Sequence, residues 1–292
     1  MITNTTSINR LGNRKNNQDR CLVIHKQHTS LLAVADGMGG HPRGELAAQV
    51  AVDTLREHFE QQGSVITDPA GFLRKAIHSA HLSILTTGNA ENPPVNPRTV
   101  CIACVIQGNQ MWWAHVGDSR LYLLREGNVV QQTQDHTPLQ ELLARGEISK
   151  EDARQHPMRH NVSRCLGGSS NLPKVTLSST VLQKNDTILL CSDGLWAALT
   201  EQQLLSLGDA YDLESAANKL AEDAESTSYP HSDNISLVAL RWIAGSGAGK
   251  PNTPTISPST NRTSTESSDP VQQAIDDINR AIIDYASEIK KI

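Results

Sequence analysis

Short apolar runs of strand length alternate with longer amphipathic stretches over residues 1–243. The runs typical of β-strands are Ser30–Ala35, Thr99–Gln107, Gln110–Val116, Ser119–Arg125, Thr187–Cys191 and Ser236–Trp242. Gly108–Asn109 and Gly127–Asn128 separate consecutive runs and predict hairpin turns. None of the runs approaches the roughly 18 apolar residues that a membrane helix needs, so we expect no membrane span.

Two longer stretches have the periodicity of amphipathic helices. Residues 44–61 place an apolar stripe on one face, and residues 68–86 begin with a favourable cap and first position, Asp68 and Pro69. Further helices are predicted at 138–156 and 212–227. Runs of strands with helices set to their sides indicate an α+β fold in which sheets pack together and helices lie outside.

The composition changes after residue 243. Residues 244–269 are rich in Gly, Ser, Thr, Pro and Asn, and they have too little apolar surface to offset chain entropy, which predicts a flexible linker. Residues 270–292 again carry apolar side chains at helical spacing and predict an amphipathic C-terminal helix. That helix either docks on its own domain, residues 1–243, or binds a partner or a second copy.

Charge and cysteine content limit which partners the protein can bind and in which cellular compartment we expect it. The 292 residues contain 26 Lys and Arg against 31 Asp and Glu, for a net charge of -5, which argues against nucleic acid as a partner. Cysteines number five, an odd count, and the first twenty residues contain no apolar signal-peptide core. We therefore expect a reduced, cytoplasmic protein.

Four aspartates stand where an apolar run gives way to a Gly or Asn turn. They are Asp36, Asp118, Asp193 and Asp233. A single one would be an ordinary turn residue, but a carboxylate at the end of a buried strand is costly unless its charge is compensated. Four that converge on one edge of the sheets need a cation, and all-oxygen ligands favour Mg²⁺ or Mn²⁺.

Other residues near these motifs limit the chemistry. Arg14 lies five residues before Asp19, and beside a metal cluster its planar fork is suited to clamp a phosphate; alone it would be part of a solvated charge run. No Cys is followed by Arg six positions later, as the nucleophile loop of thiol-dependent tyrosine phosphatases requires. The pair Cys101 and Cys104 is interpreted as core packing, because residues three apart on a strand face opposite sides.

Seven motifs in order resemble those of the metal-dependent type 2C protein Ser/Thr phosphatases in their bacterial form. They are Arg14-x4-Asp19, ADGMGGH from Ala35, VGDSRLY from Val116, QDHT from Gln134, SRCLGG from Ser163, CSDGLW from Cys191 and SDNISLV from Ser232. The resemblance implies a four-layer fold of two packed antiparallel β-sheets flanked by α-helices. It also implies a two-metal site at one edge of the sheets.

The resemblance further implies a set of metal ligands. Asp36 would bridge both metals and the Gly37 carbonyl would bind the second, while Asp193 and Asp233 would hold the first. Asp118 would join Asp193 around a third, weaker metal.

The remaining catalytic roles follow from the same resemblance. Arg14 would grip the phosphate and Asp19 would orient a water on the metals. The eukaryotic type 2C phosphatases commonly have a His directly after the Asp-Gly pair, where this chain has Met38. His41 is then the candidate general acid nearest in sequence, with a solvent-exposed loop position as the alternative.

Together these features predict a hydrolase for phosphoserine and phosphothreonine in proteins, with a metal-activated water as the nucleophile. Its partners would be phosphorylated proteins made by a Ser/Thr kinase. The alternative is a catalytically weak phosphoprotein-binding regulatory module with the same fold. The presence of all four aspartates favours the enzyme.

Overall fold

The computed structural model describes residues 2–38, 43–149, 152, 156, 158 and 161–244. The chain divides into two units, Met1–Ala248 and Gly249–Ile292, and every described residue belongs to the first. The expected linker at 244–269 lies outside the described residues except for Ala244, and the expected helix at 270–292 lies wholly outside them. Both remain predictions.

Groups of strands are separated by helices in the described part of the chain. The strands are β1 (Ile2–Arg10), β2 (Asp19–His25), β3 (Thr29–Gly37), β4 (Arg98–Gln107), β5 (Gln110–Val116), β6 (Arg120–Arg125), β7 (Asn128–Gln132), β8 (Leu166–Gly167), β9 (Thr176–Val181), β10 (Thr187–Cys191) and β11 (Ile235–Ala244). The helices are α1 (Gly44–Glu60), α2 (Pro69–Ala90), α3 (Pro138–Ala144), α4 (Asp193–Trp196), α5 (Glu201–Asp209) and α6 (Leu213–Ser228). None of these helices is both long and apolar enough to cross a bilayer.

The strands form two antiparallel sheets. One sheet has the order β1-β11-β10-β6-β7, and the other has the order β2-β3-β4-β5-β9 with the short β8 paired to β4. Strand β3 shows how the sheets pack: Leu31, Ala33 and Ala35 face the helices, whereas Leu32 and Val34 face the other sheet. A strand that is buried on both faces has a nearly continuous apolar sequence, as β3 has.

Three apolar layers hold the four structural layers together. Leu32, Ile102 and Leu190 fill the space between the sheets. Helices α1 and α2 cover the outer face of the second sheet, and α5 and α6 cover the outer face of the first. The predicted four-layer α+β architecture is therefore confirmed.

Two local predictions were wrong. The turn between β6 and β7 is Glu126–Gly127, both with positive φ, so that Asn128 already belongs to β7. The helix predicted at 138–156 is shorter in its described part, because α3 ends at Ala144. The N–H of Gly146 bonds to the carbonyl of Leu143 and closes the helix there.

Candidate metal centre

Strand ends bring the four predicted aspartates to one edge of the two sheets. Asp36 lies at the end of β3, Asp118 two residues after β5, and Asp193 two residues after β10. Asp233 precedes β11, which runs antiparallel to β10, so the start of β11 meets the end of β10. All four line one cleft of about 1030 Å³, together with Arg14 and Gly37.

The carboxylates of this cleft repel one another. Burial raises the pKa of Asp36 well above its usual value, and the charges of the neighbouring aspartates raise it further. Those neighbours are Asp19, Asp193, Asp118 and Asp233. Burial, followed by the charge of Asp193, likewise raises the pKa of Asp118. Buried negative charge that is concentrated at one edge of the sheets would be stabilised by a bound cation.

The donor set also decides which cation fits. Within the described ranges, no three His, Cys, Asp or Glu side chains form a group that could hold an ion by themselves. Mg²⁺ and similar hard ions need only one or two carboxylates each, because they keep several of their waters. Carboxylates spread around a wide cleft therefore suit hydrated hard cations.

Asp19 lies behind Asp36, opposite it in the pairing of β2 with β3. Its side chain is 1% exposed, and its Oδ2 accepts a hydrogen bond of 2.7 Å from Ser192 Oγ. Burial is the main cause that raises the pKa of Asp19 to about 7. This carboxyl group is thus fixed in place, although its predicted role toward a water stays a prediction.

Gly37 must be a glycine at this point of the chain. A Cβ atom there would lie 2.4 Å from the carbonyl oxygen of Gly44. The N–H of Gly37 also donates to the carbonyl of Gln18 at 3.1 Å. This close approach lets the start of α1 pack directly against the end of β3, next in sequence to Asp36.

Arg14 reaches the cleft from the loop that follows β1. Its Nη2 donates to Asp233 Oδ2 at 2.6 Å, so that in this structure it contacts an expected metal ligand. Asn234 fixes the loop, because its side chain accepts from the N–H of Gln18 and donates to the carbonyls of Leu11 and Asn16. The structure thus places Arg14 at the cleft mouth, and its phosphate contact remains a prediction.

Sequence reasoning missed several residues that line the cleft. They include Asn13, Lys15, Val162, Ser228 and His231. Two of them could have been found because they lie close to a motif in the sequence: Lys15 follows Arg14, and His231 precedes Asp233 by two positions. His41, the expected general acid, lies outside the described residues.

Comparison with known families identifies this arrangement. Residues 9–228 match the family model described as protein phosphatase 2C, a stretch that contains Arg14, Asp36, Asp118 and Asp193. The chain belongs to the protein phosphatase 2C family. The predicted family is thereby confirmed.

Curated relatives in this family are bacterial phosphatases. A serine/threonine phosphatase of Listeria welshimeri is 34% identical over 237 residues, which cover 78% of this chain and 90% of the relative. The serine/threonine protein phosphatase PstP of Mycobacterium tuberculosis is 33% identical over 227 residues, which cover 77% of this chain and 42% of the relative. They confirm the predicted enzyme class, protein-serine/threonine phosphatase.

Solved structures support the same assignment. The phosphatase PstP of M. tuberculosis superposes with a TM-score of 0.73 at 30% identity, covering 83% of this chain and 100% of that one. Its catalytic domain in complex with two manganese ions gives a TM-score of 0.71, covering 82% of this chain and 98% of that one. The expected cofactor, Mg²⁺ or Mn²⁺, is confirmed for this family member.

Proposed function

We propose that this protein hydrolyses phosphoserine and phosphothreonine in other proteins, using divalent cations held by the cleft aspartates. The observation that carries the proposal is the convergence of four carboxylates on one cleft, where each neighbour raises the pKa of Asp36. That charge is costly unless cations compensate it.

We infer a separate role for each carboxylate of the cleft. Asp36, at the centre of the cluster, would contact both cations, with the Gly37 carbonyl beside it, and Asp193 and Asp233 would hold one of the two. Asp118 would act with Asp193 toward a third, weaker cation. When bound, paired cations lower the pKa of a water between them and neutralise phosphoryl oxygens.

The remaining groups would act on the substrate and the proton. Arg14 at the cleft mouth would take two phosphoryl oxygens through its planar guanidinium. Asp19, held by Ser192, would orient the attacking water from behind Asp36. His41 stays the candidate donor of a proton to the leaving Ser or Thr oxygen.

Partners and location extend this proposal beyond the cleft. The substrates would be phosphoproteins generated by a Ser/Thr kinase in the cytoplasm. The C-terminal segment, residues 270–292, would bind a partner protein or a second copy of the chain.

Hydrolysis of p-nitrophenyl phosphate and of a phosphothreonine peptide tests the proposal. Both substrates should release phosphate with Mn²⁺ present and neither should do so after EDTA is added, with recovery when Mn²⁺ is restored. If the protein binds the phosphopeptide without releasing phosphate at saturating Mn²⁺, it is the regulatory module instead.

A further inference from the structure

Trp196 connects two segments that carry site aspartates. It ends α4, the short helix that begins at Asp193, and its indole Nε1 donates a 3.0 Å hydrogen bond to the main-chain carbonyl of Asp118. The side chain therefore spans the distance between the end of β10 and the turn between β5 and β6.

The indole ring is itself held in a fixed orientation. The guanidinium of Arg120 lies 3.5 Å from the centroid of the Trp196 ring, which is cation–π distance. Arg120 also makes two hydrogen bonds to the carboxylate of Asp135, at 2.9 and 2.8 Å, and one to Tyr122 Oη at 3.0 Å. A planar fork with these partners cannot turn away from the indole without breaking charge-assisted bonds.

The same turn is held from its other side by His136. The main-chain N–H of Gly117 donates to the ring Nδ1 of His136 at 3.1 Å, and the main-chain N–H of His136 donates to the Gly117 carbonyl at 2.9 Å. Burial lowers the pKa of His136 to about 3, so that the ring is neutral and Nδ1 is free to accept. The main chain on both sides of the Asp118 side chain is therefore anchored.

This anchoring acts on a carboxylate whose charge is costly. The Asp118 residue is only 5% exposed, and its burial, followed by the charges of Asp193 and Asp135, raises its pKa well above the usual value. Partners that orient a ligand side chain typically change metal affinity by about 10- to 100-fold. A weakly held cation depends most on such orientation.

We propose that Trp196 is a positioning residue that fixes Asp118, through its main-chain carbonyl and with Arg120 and Asp135 behind it, for the third cation. This inference rests on the proposed role of Asp118. It assigns to the Trp of the CSDGLW motif a function in metal binding rather than in packing alone.

Calorimetric titration of the full-length protein with Mn²⁺ tests the proposal, with the Mn²⁺ dependence of p-nitrophenyl phosphate turnover as a second readout. Trp196→Phe keeps an aromatic ring under Arg120 but removes the donor. We expect the two tightest Mn²⁺ sites to be unchanged and the weaker site to lose about 10- to 100-fold in affinity. Half-maximal turnover should shift to higher Mn²⁺ by the same factor, with kcat recovered at saturation.

Trp242→Phe is the matched control. Its indole also donates a 3.0 Å bond to a main-chain carbonyl, that of Gly108, in the β4–β5 turn. The control should lower thermal stability by a similar amount and leave every Mn²⁺ site as in the wild type. Asp135→Asn, which keeps both tryptophans, should weaken the same Mn²⁺ site as Trp196→Phe and serves if that variant does not fold.

The variant Asp118→Asn distinguishes failure of the positioning role of Trp196 from failure of the third-cation role of Asp118. If Asp118→Asn loses the weaker Mn²⁺ site while Trp196→Phe and Asp135→Asn keep it at wild-type affinity, the positioning role is wrong and the role of Asp118 stands. If Asp118→Asn binds Mn²⁺ as the wild type does, the third-cation role fails and the positioning role with it.

Discussion

Arg14 is the residue by which the cleft would recognise phosphate. Because a charge-assisted hydrogen bond contributes about 1.5 to 3 kcal/mol, Arg14→Ala should lower kcat/KM for a phosphopeptide by roughly 10- to 100-fold at saturating Mn²⁺. Arg10→Ala is the matched control, since Arg10 also pairs with a carboxylate, Glu225, but outside the cleft. Steady-state kinetics that are equal for Arg14→Ala and Arg10→Ala would rule out the clamp.

Asp36 should destabilise the metal-free protein through its charge. The pKa of Asp19 is raised from 3.8 to about 7, and that of Asp36 is raised too. The folded protein therefore holds these protons more tightly than the unfolded chain does. Its free energy of unfolding is highest at low pH and falls as the pH rises through the raised pKa values. In EDTA at pH 8, Asp36→Asn should therefore melt above the wild type, by about 2–4 °C per kcal/mol of relieved repulsion.

Melting curves between pH 5 and 8 provide the check. The wild type in EDTA should lose more Tm over this range than Asp36→Asn does, and added Mn²⁺ should raise the Tm of the wild type much more than that of the variant. An Asp36→Asn protein that melts below the wild type in EDTA at every pH would show that the cluster is not under electrostatic stress.

Local sequence was enough to predict which aspartates line the cleft, although their roles toward a metal stay predictions. Each of four aspartates is recognisable in the sequence because it stands between an apolar run and a turn: Asp36, Asp118, Asp193 and Asp233. Ser192, which bonds to Asp19, carries no such mark, because its importance depends on how β10 is placed against β2. Partners from distant elements are set by tertiary packing, and a single sequence does not display them.

At the scale of elements, the turn between β5 and β6 has a strict steric requirement. Gly117 has a φ of 111°, and a Cβ there would lie 2.2 Å from Val100 Cγ1. Gly117→Ala should therefore displace Asp118 and lower the free energy of unfolding by about 1–3 kcal/mol. Loss of Mn²⁺-dependent turnover should accompany the loss of Tm.

Gly108→Ala is the control for backbone strain alone. Gly108 also has a positive φ, of 63°, but its Cβ would meet nothing within 4 Å. It should cost stability without loss of turnover. Turnover that is equal in Gly117→Ala and Gly108→Ala would contradict this account of the turn.

The strands that sequence patterns predicted are the inner strands of each sheet. Strands β3, β4, β5, β6, β10 and β11 are flanked on both sides, and their apolar runs made them recognisable. The edge strands β1, β2, β7 and β9 were not predicted. The pattern in β1 and β9 is largely polar, TNTTSIN and TLSSTV, because much of each strand faces solvent.

At the scale of the whole molecule, catalysis should reside in the unit that the structure describes. All the cleft aspartates precede residue 234, and the family match ends at residue 228. Truncation after Ala244 should keep hydrolysis of p-nitrophenyl phosphate within about twofold, because it removes no residue of the cleft. It should change action on the native phosphoprotein, or self-association, which size-exclusion chromatography would detect.

The truncation also tests the domain boundary. A truncated protein that folds and binds Mn²⁺ but is inactive on p-nitrophenyl phosphate would make the C-terminal segment part of the catalytic unit. The boundary predicted at residue 243 would then be wrong.

The central claim is that the cleft aspartates hold the cations that drive phosphoprotein hydrolysis. Phosphate release from a phosphothreonine peptide, measured for the wild type and Asp193→Asn across a Mn²⁺ titration, tests it most directly. The account predicts saturable activation of the wild type and no turnover by a folded Asp193→Asn at any Mn²⁺ concentration. Turnover by Asp193→Asn at the wild-type rate under saturating Mn²⁺ would contradict it.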